Sequence, residues 1–139
     1  MYRRILVATD GSYHAKRAED RALRLGVRFN ARVTGVYVVD RARYQWAEEL
    51  MQEIYSKTRE EGEKVLSSFR ERAQELGLGV DVRLREGSPS EEIIKEAREG
   101  GYDLIVLGSR GMTPEAFALG SVVQRVVRRA PCDVLVVRG

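Results

Sequence analysis

Five short β-type runs alternate along this chain with stretches whose apolar residues recur every three or four positions. The runs are Ile5–Ala8, Arg32–Val39, Val80–Leu84, Asp103–Leu107 and Asp133–Val137. Side chains alternate across a strand but repeat every 3.6 residues around a helix, so the two patterns mark different elements. Each intervening helix carries the chain back to the same edge, which makes the strands parallel and covers both faces of the sheet. Asp103–Leu107 is apolar after its first residue, as a strand buried on both faces must be. The chain therefore reads as α/β: an open five-stranded parallel sheet with helices on both faces, Rossmann-like.

Length allows one such unit, residues 1–139, because domains run about 100–200 residues. A hydrophobic fraction of 43% with 32% charged residues fits a globular chain rather than a disordered one. Apolar runs such as Val134–Val137 fall far short of the ~20 residues a membrane span needs. The start, Met1-Tyr-Arg-Arg-Ile-Leu-Val-Ala8, lacks a full apolar signal segment, so the expected location is the cytoplasm. Cys132 is the only cysteine, which excludes an intramolecular disulfide and a cysteine-rich metal site. The 24 basic and 21 acidic residues intermix closely, as in Arg59-Glu-Glu-Gly-Glu-Lys64. Such mixing reads as solvated helix faces with i,i+4 pairs, and no aromatic residues interleave with a basic run to bind nucleic acid.

Ala15, Ala18, Ala22, Leu25 and Phe29 keep helical phase after the first strand, with Ser12 as the N-cap. Residues 44–77 read as one long helix or two abutting helices. Leu50, Ile54, Leu66, Phe69, Ala73 and Leu76 are in phase there, Gly62 weakens the middle, and Gly77 and Gly79 supply the stop. The alternation in Val80–Leu84 marks a half-exposed strand near a sheet edge. Ser88-Pro-Ser-Glu91 opens a helix to about Glu99, with Ser88 capping and Glu91 completing a capping box. A last helix opens at Ser121 and closes at Pro131.

In an open parallel sheet, ligands bind beyond the carboxyl ends of the strands, where the strand order reverses. Two segments fall there: Thr9-Asp-Gly-Ser12, and Gly108-Ser-Arg-Gly111 with the later Gly120-Ser121. Gly108 and Gly111 let main chain approach a ligand and turn N–H groups toward an anion. Gly120-Ser121 opens a helix whose positive end favours phosphate, and Arg110 adds a charged donor. The same segments also fit plain connections, with Ser121 and Gln124 forming a capping box and Asp10 capping a turn. A P-loop would need Gly-Lys-Ser/Thr, and a Rossmann dinucleotide turn would need G-x-G-x-x-G after the first strand; neither run is present. Asp40 then reads as a surface loop residue.

Taken together, Ile5-Leu-Val-Ala-Thr-Asp-Gly-Ser12, Asp103-Leu-Ile-Val-Leu-Gly-Ser-Arg-Gly111, Leu119-Gly-Ser-Val-Val-Gln-Arg-Val126 and Ala130-Pro-Cys-Asp-Val-Leu-Val-Val137 resemble the universal stress protein family across essentially the whole chain. The resemblance implies strand order 3-2-1-4-5, a homodimer paired through the last strand, and a stress-response or regulatory role with an unknown protein partner. One branch of that family binds ATP, with Mg²⁺ where the triphosphate is held, through G-x2-G-x9-G-S/T. Carried onto this chain, the site would comprise Asp10 at the nucleoside, Val38 at the adenine, and Gly108, Gly111, Gly120 and Ser121 at the phosphates, with Ala8, Arg110 and Val122 as neighbours. This chain has eight residues between Gly111 and Gly120, one fewer than the motif. Another branch dimerises without nucleotide.

No catalytic set emerges. His14, the only histidine, has no evident acid or nucleophile beside it and reads as a surface residue, and slow ATP hydrolysis is the most that the chemistry suggests. Cys132 reads as buried packing. Tyr44 and Trp46 either cover the site or pack on the sheet.

Overall fold

The computed structural model describes residues 1–40, 48–110 and 119–138. Nine elements follow in order: β1 (Arg4–Ala8), α1 (Tyr13–Phe29), β2 (Arg32–Asp40), α2 (Glu48–Glu75), β3 (Val80–Gly87), α3 (Pro89–Glu99), β4 (Leu104–Gly108), α4 (Ser121–Arg129) and β5 (Asp133–Val137). The strands form one parallel sheet in the order β3-β2-β1-β4-β5. The expected topology is the observed one.

Strand pleat divides the core. Ile5, Val7, Val33, Leu104 and Val106 point to one face, where Ala18, Ala22 and Leu23 of α1 and Phe69 and Ala73 of α2 cover them. Leu6, Ala8, Val36, Ile105 and Leu107 point to the other, beneath Ile93, Ile94 and Ala97 of α3 and Val123 and Val126 of α4. At about 1.5–3 kcal/mol for each large side chain removed from water, these two layers dominate the stability of the fold.

Several local expectations change. The described part of the long segment, residues 48–75, is one helix, and Gly62 does not break it. A Cβ there would sit 2.6 Å from the Tyr37 ring and 2.9 Å from Leu84, so glycine lets α2 lie close on β2 and β3. Leu50, in the first turn of α2, and Leu76, just past its end, are 64% and 53% exposed, whereas Leu66, Phe69 and Ala73 of the C-terminal half of α2 are buried on the sheet. Strand β4 begins at Leu104; Asp103 instead accepts hydrogen bonds from the Arg3 and Arg4 N–H groups at 2.9 and 3.1 Å. Ser88 occupies the N-cap of α3 but makes no side-chain cap bond, so the capping box is not formed. Asp40 is the last residue of β2, in register with Gly87, rather than a loop residue. Cys132 is half-buried against the α3–α4 layer, and burial beside Asp133 and Asp103 pushes its thiol pKa up. Among the described residues, no helix is long and apolar enough to cross a membrane.

Candidate functional site

The strand order reverses between β1 and β4: β1 leads outward to β2 on one side, and β4 to β5 on the other. Val7 pairs with Val106, so β1 and β4 reach the same carboxyl edge within one or two residues of each other. This is the crevice in which an open parallel sheet places its ligand. Its floor is apolar. Ala8 from β1, Val38 from β2, Val122 from the first turn of α4 and Leu119 just before it belong to the α3–α4 cluster, and Val38, Val122 and Leu119 are only partly buried. Three residues expected at the site thus meet on one face, at its open edge.

The turn from β1 to α1 is held by side chains. The Thr9 N–H continues the ladder to the Val36 carbonyl at 2.9 Å, and the Gly11 N–H donates to Thr9 Oγ1 at 3.2 Å. The Ser12 N–H donates to Asp10 Oδ1 at 2.9 Å, making Asp10 the acceptor of its own turn. Ser12 caps α1 as expected, its Oγ accepting from the Ala15 N–H at 3.2 Å. Gly11 takes φ +80°, a conformation that favours glycine.

Beyond β4 the arrangement differs. Ser109 O accepts the Gly120 N–H at 3.0 Å, which pins the start of α4 to the end of the strand. Gly120, extended at φ −60° and ψ 153°, is the N-cap of α4, and Ser121 is the first helical residue. The proposed Ser121–Gln124 capping box is therefore absent; Gln124 Nε2 donates to the Leu119 carbonyl at 2.9 Å instead. The first intrahelical bond runs from the Gln124 N–H to the Gly120 carbonyl, which leaves the N–H groups of the first turn, Ser121 to Val123, ahead of the helical ladder. Neither α1 nor α4 has an acidic residue in its first turn, whereas α3 has Glu91 and Glu92. The two helix starts at the crevice keep a positive end uncompensated by their own carboxylates.

Gly108 has a structural explanation. A Cβ on it would lie 2.6 Å from the His14 carbonyl carbon, so its bare backbone admits the first turn of α1. His14 is half-buried there, and its Nδ1 has no hydrogen-bond partner among the described residues. Arg110 ends the described part of the loop. Gly111, Tyr44 and Trp46 lie outside the described residues. Among the described residues, no group of three or more His, Cys, Asp or Glu can hold a metal ion.

One feature escaped the reading of the residues. Glu19, 1% exposed, accepts a 2.6 Å hydrogen bond from Thr9 Oγ1 and pairs with Arg72 of α2. Burial raises its carboxyl pKa, against the Thr9 bond and the Arg72 charge, which lower it. A signal was available: Glu19 follows Ala15 by four positions and precedes Ala22 by three, on the buried face of α1.

A family model described as the universal stress protein family matches residues 1–138. A putative universal stress protein of Staphylococcus epidermidis is 41% identical over 140 residues, covering 99% of this chain and 84% of that protein. Among solved structures, the universal stress protein UspA of Lactobacillus plantarum superimposes with a TM-score of 0.85 at 30% identity, covering 99% of this chain and 98% of that one. A universal stress protein in complex with cAMP gives a TM-score of 0.70 at 28% identity, with 99% and 97% coverage.

Proposed function

The chain belongs to the universal stress protein family, and from that premise we propose that it binds an adenine nucleotide, ATP with Mg²⁺, in the crevice between β1 and β4. The observation that carries this reading is the meeting of Ala8, Val38 and Val122 as a partly open apolar floor below the carboxylate-free first turn of α4. An apolar base needs such a floor, and phosphates need the N–H groups above it. The complex of a related chain with cAMP supports a nucleotide as the ligand class. Val38 would meet the adenine, Asp10 the nucleoside, and Ser121 with Gly120, Gly111 and Arg110 the phosphates. Gly120 would act through its extended backbone, since its N–H is already bound to Ser109. Mg²⁺ would be held mainly by phosphate oxygens, as that ion commonly is, and would shield their charge.

Nucleotide occupancy would then change how the module meets a regulatory protein partner in the cytoplasm. Strand β5 supports a homodimer: it is an edge strand whose Val134, Leu135 and Val136 stay half-buried. An unpaired edge with apolar side chains is a template for a second copy. That edge, with the loop one residue short of the motif, also supports the second reading, a dimerisation module without nucleotide.

Calorimetric titration with ATP, with and without Mg²⁺, separates the two. The nucleotide reading expects saturable heat with micromolar affinity, and a Gly120→Val chain that melts like wild type but binds at least about tenfold more weakly. No heat at millimolar nucleotide leaves the dimerisation reading.

A further inference from the structure

A fully buried carboxylate is costly, since removal from water outweighs a single ion pair unless further hydrogen bonds compensate. A leucine at position 19 would fill comparable space within the α1–sheet layer at no such cost. Glu19 instead makes two directed contacts. Its Oε1 faces the Arg72 guanidinium from α2, and its Oε2 accepts from Thr9 Oγ1 at the end of β1. Thr9 is 5% exposed, so water has little access to replace either partner.

The Thr9 hydroxyl has one hydrogen. While that hydrogen lies on Glu19, the oxygen lone pairs are left for the Gly11 N–H, the contact that shapes the turn. Helix α2 touches the same turn a second time, because Val65 Cγ2 would sit 2.7 Å from a Cβ on Gly11. We propose that Glu19 is a positioning residue for the turn that carries Asp10: it accepts from the Thr9 hydroxyl, aims that oxygen at the Gly11 N–H, and ties the turn to α2 through Arg72. The role assigned to Asp10 rests on the nucleotide reading above; the hold on Gly11 does not.

The groups facing Glu19 are Thr9 from the turn after β1, Arg72 from α2, and Lys16 and Asp20 on α1 itself. Because Oε1 faces a guanidinium, a proton added to the carboxylate goes to Oε2. The bond to Thr9 then reverses, and the Thr9 hydrogen, turned off Glu19, competes with the Gly11 N–H. With its pKa raised in the folded state, Glu19 binds a proton more readily in the fold than in the unfolded chain, so its contribution to stability falls as pH rises from the ordinary carboxylate value through the raised one. Lowering the pH therefore strengthens the fold at this residue while it weakens the hold on Gly11.

The test uses the full chain as wild type, Thr9→Val, Thr9→Ser and Glu19→Leu, read by amide hydrogen exchange at Gly11 without nucleotide and by ATP affinity. Thr9→Val and Glu19→Leu are expected to speed Gly11 exchange about tenfold, the equivalent of one lost hydrogen bond, and to weaken ATP binding by a similar factor, while Thr9→Ser matches wild type in both. Glu19→Leu should melt lower than wild type, because it leaves the buried Thr9 hydroxyl without its acceptor and takes one carboxylate from Arg72, and its Gly11 amide shift should lose the titration step that belongs to Glu19. If Glu19→Leu does not fold, Glu19→Gln decides in its place: with its carbonyl oxygen on Arg72 its amide donates to Thr9, and Gly11 exchange is expected to speed as in Glu19→Leu. Unchanged Gly11 exchange in the folded variants, or ATP binding equal to wild type in them, overturns the proposal. A wild-type chain that binds no ATP sinks the nucleotide reading, and Gly11 exchange still decides whether Glu19 holds the turn.

Discussion

The two strand-to-helix connections at the crevice lie side by side, but they are built differently. Between β1 and α1, four residues suffice, and side-chain oxygens of Thr9, Asp10 and Ser12 accept from the N–H groups of Gly11, Ser12 and Ala15. Between β4 and α4, twelve residues intervene, from Ser109 to Gly120, and among the described residues a backbone bond across their base joins Ser109 to Gly120. A short turn that satisfies its own donors is a fixed platform. A helix start with first-turn N–H groups and no acidic residue in that turn is a place for an anion. On the nucleotide reading the difference would separate two tasks: the first connection would contribute mainly geometry and stability, and the second mainly affinity.

That division can be broken by substitution. The largest effect is expected at Gly108, where a valine side chain would collide with α1 main chain 2.6 Å away. Gly108→Val should cost about 3 kcal/mol or more in chemical denaturation, although Gly108 stands in the proposed ligand segment. Gly11→Ala comes next, at about 2 kcal/mol, because φ +80° and the close Val65 methyl both oppose a Cβ. Ser12→Ala removes the α1 cap and should cost about 1 kcal/mol, read as a lower melting temperature. Ser121→Ala should shift stability by only a few tenths of a kcal/mol, since its side chain caps nothing, and should weaken nucleotide binding severalfold by calorimetry. A Ser121→Ala chain destabilised as much as Ser12→Ala would erase the distinction between the two connections.

The same contrast explains what could be read from the residues. Periodicity alone located all five strands and the helices between them, because burial repeats at 2.0 or 3.6 positions wherever an element rests on a core. Ser12 was legible as a cap because its partner lies three residues away in the chain. Contacts between distant segments were not. Gly108 looked like ligand-facing main chain, yet its neighbour is His14, which only the packing of α1 on β4 brings there. The Gly120 N–H looked available, yet it closes on Ser109 across the loop. Glu19 stood in the apolar phase of α1, but its reason, Thr9 on one side and Arg72 on the other, needs three elements in place. Ala8, Val38 and Val122 came from the family resemblance, and the fold puts all three in the apolar layer between the sheet and the α3–α4 helices.

The most direct test of the crevice as a nucleotide site is a titration of isotope-labelled protein with Mg²⁺-ATP, followed by backbone amide shifts. Saturable shifts are expected at Asp10, Val38, Ser121 and Val122, with little change along the outward face of α2 at Glu60, Glu63 and Lys64. Shifts confined to α2, or none at millimolar nucleotide, would contradict a nucleotide site in the crevice.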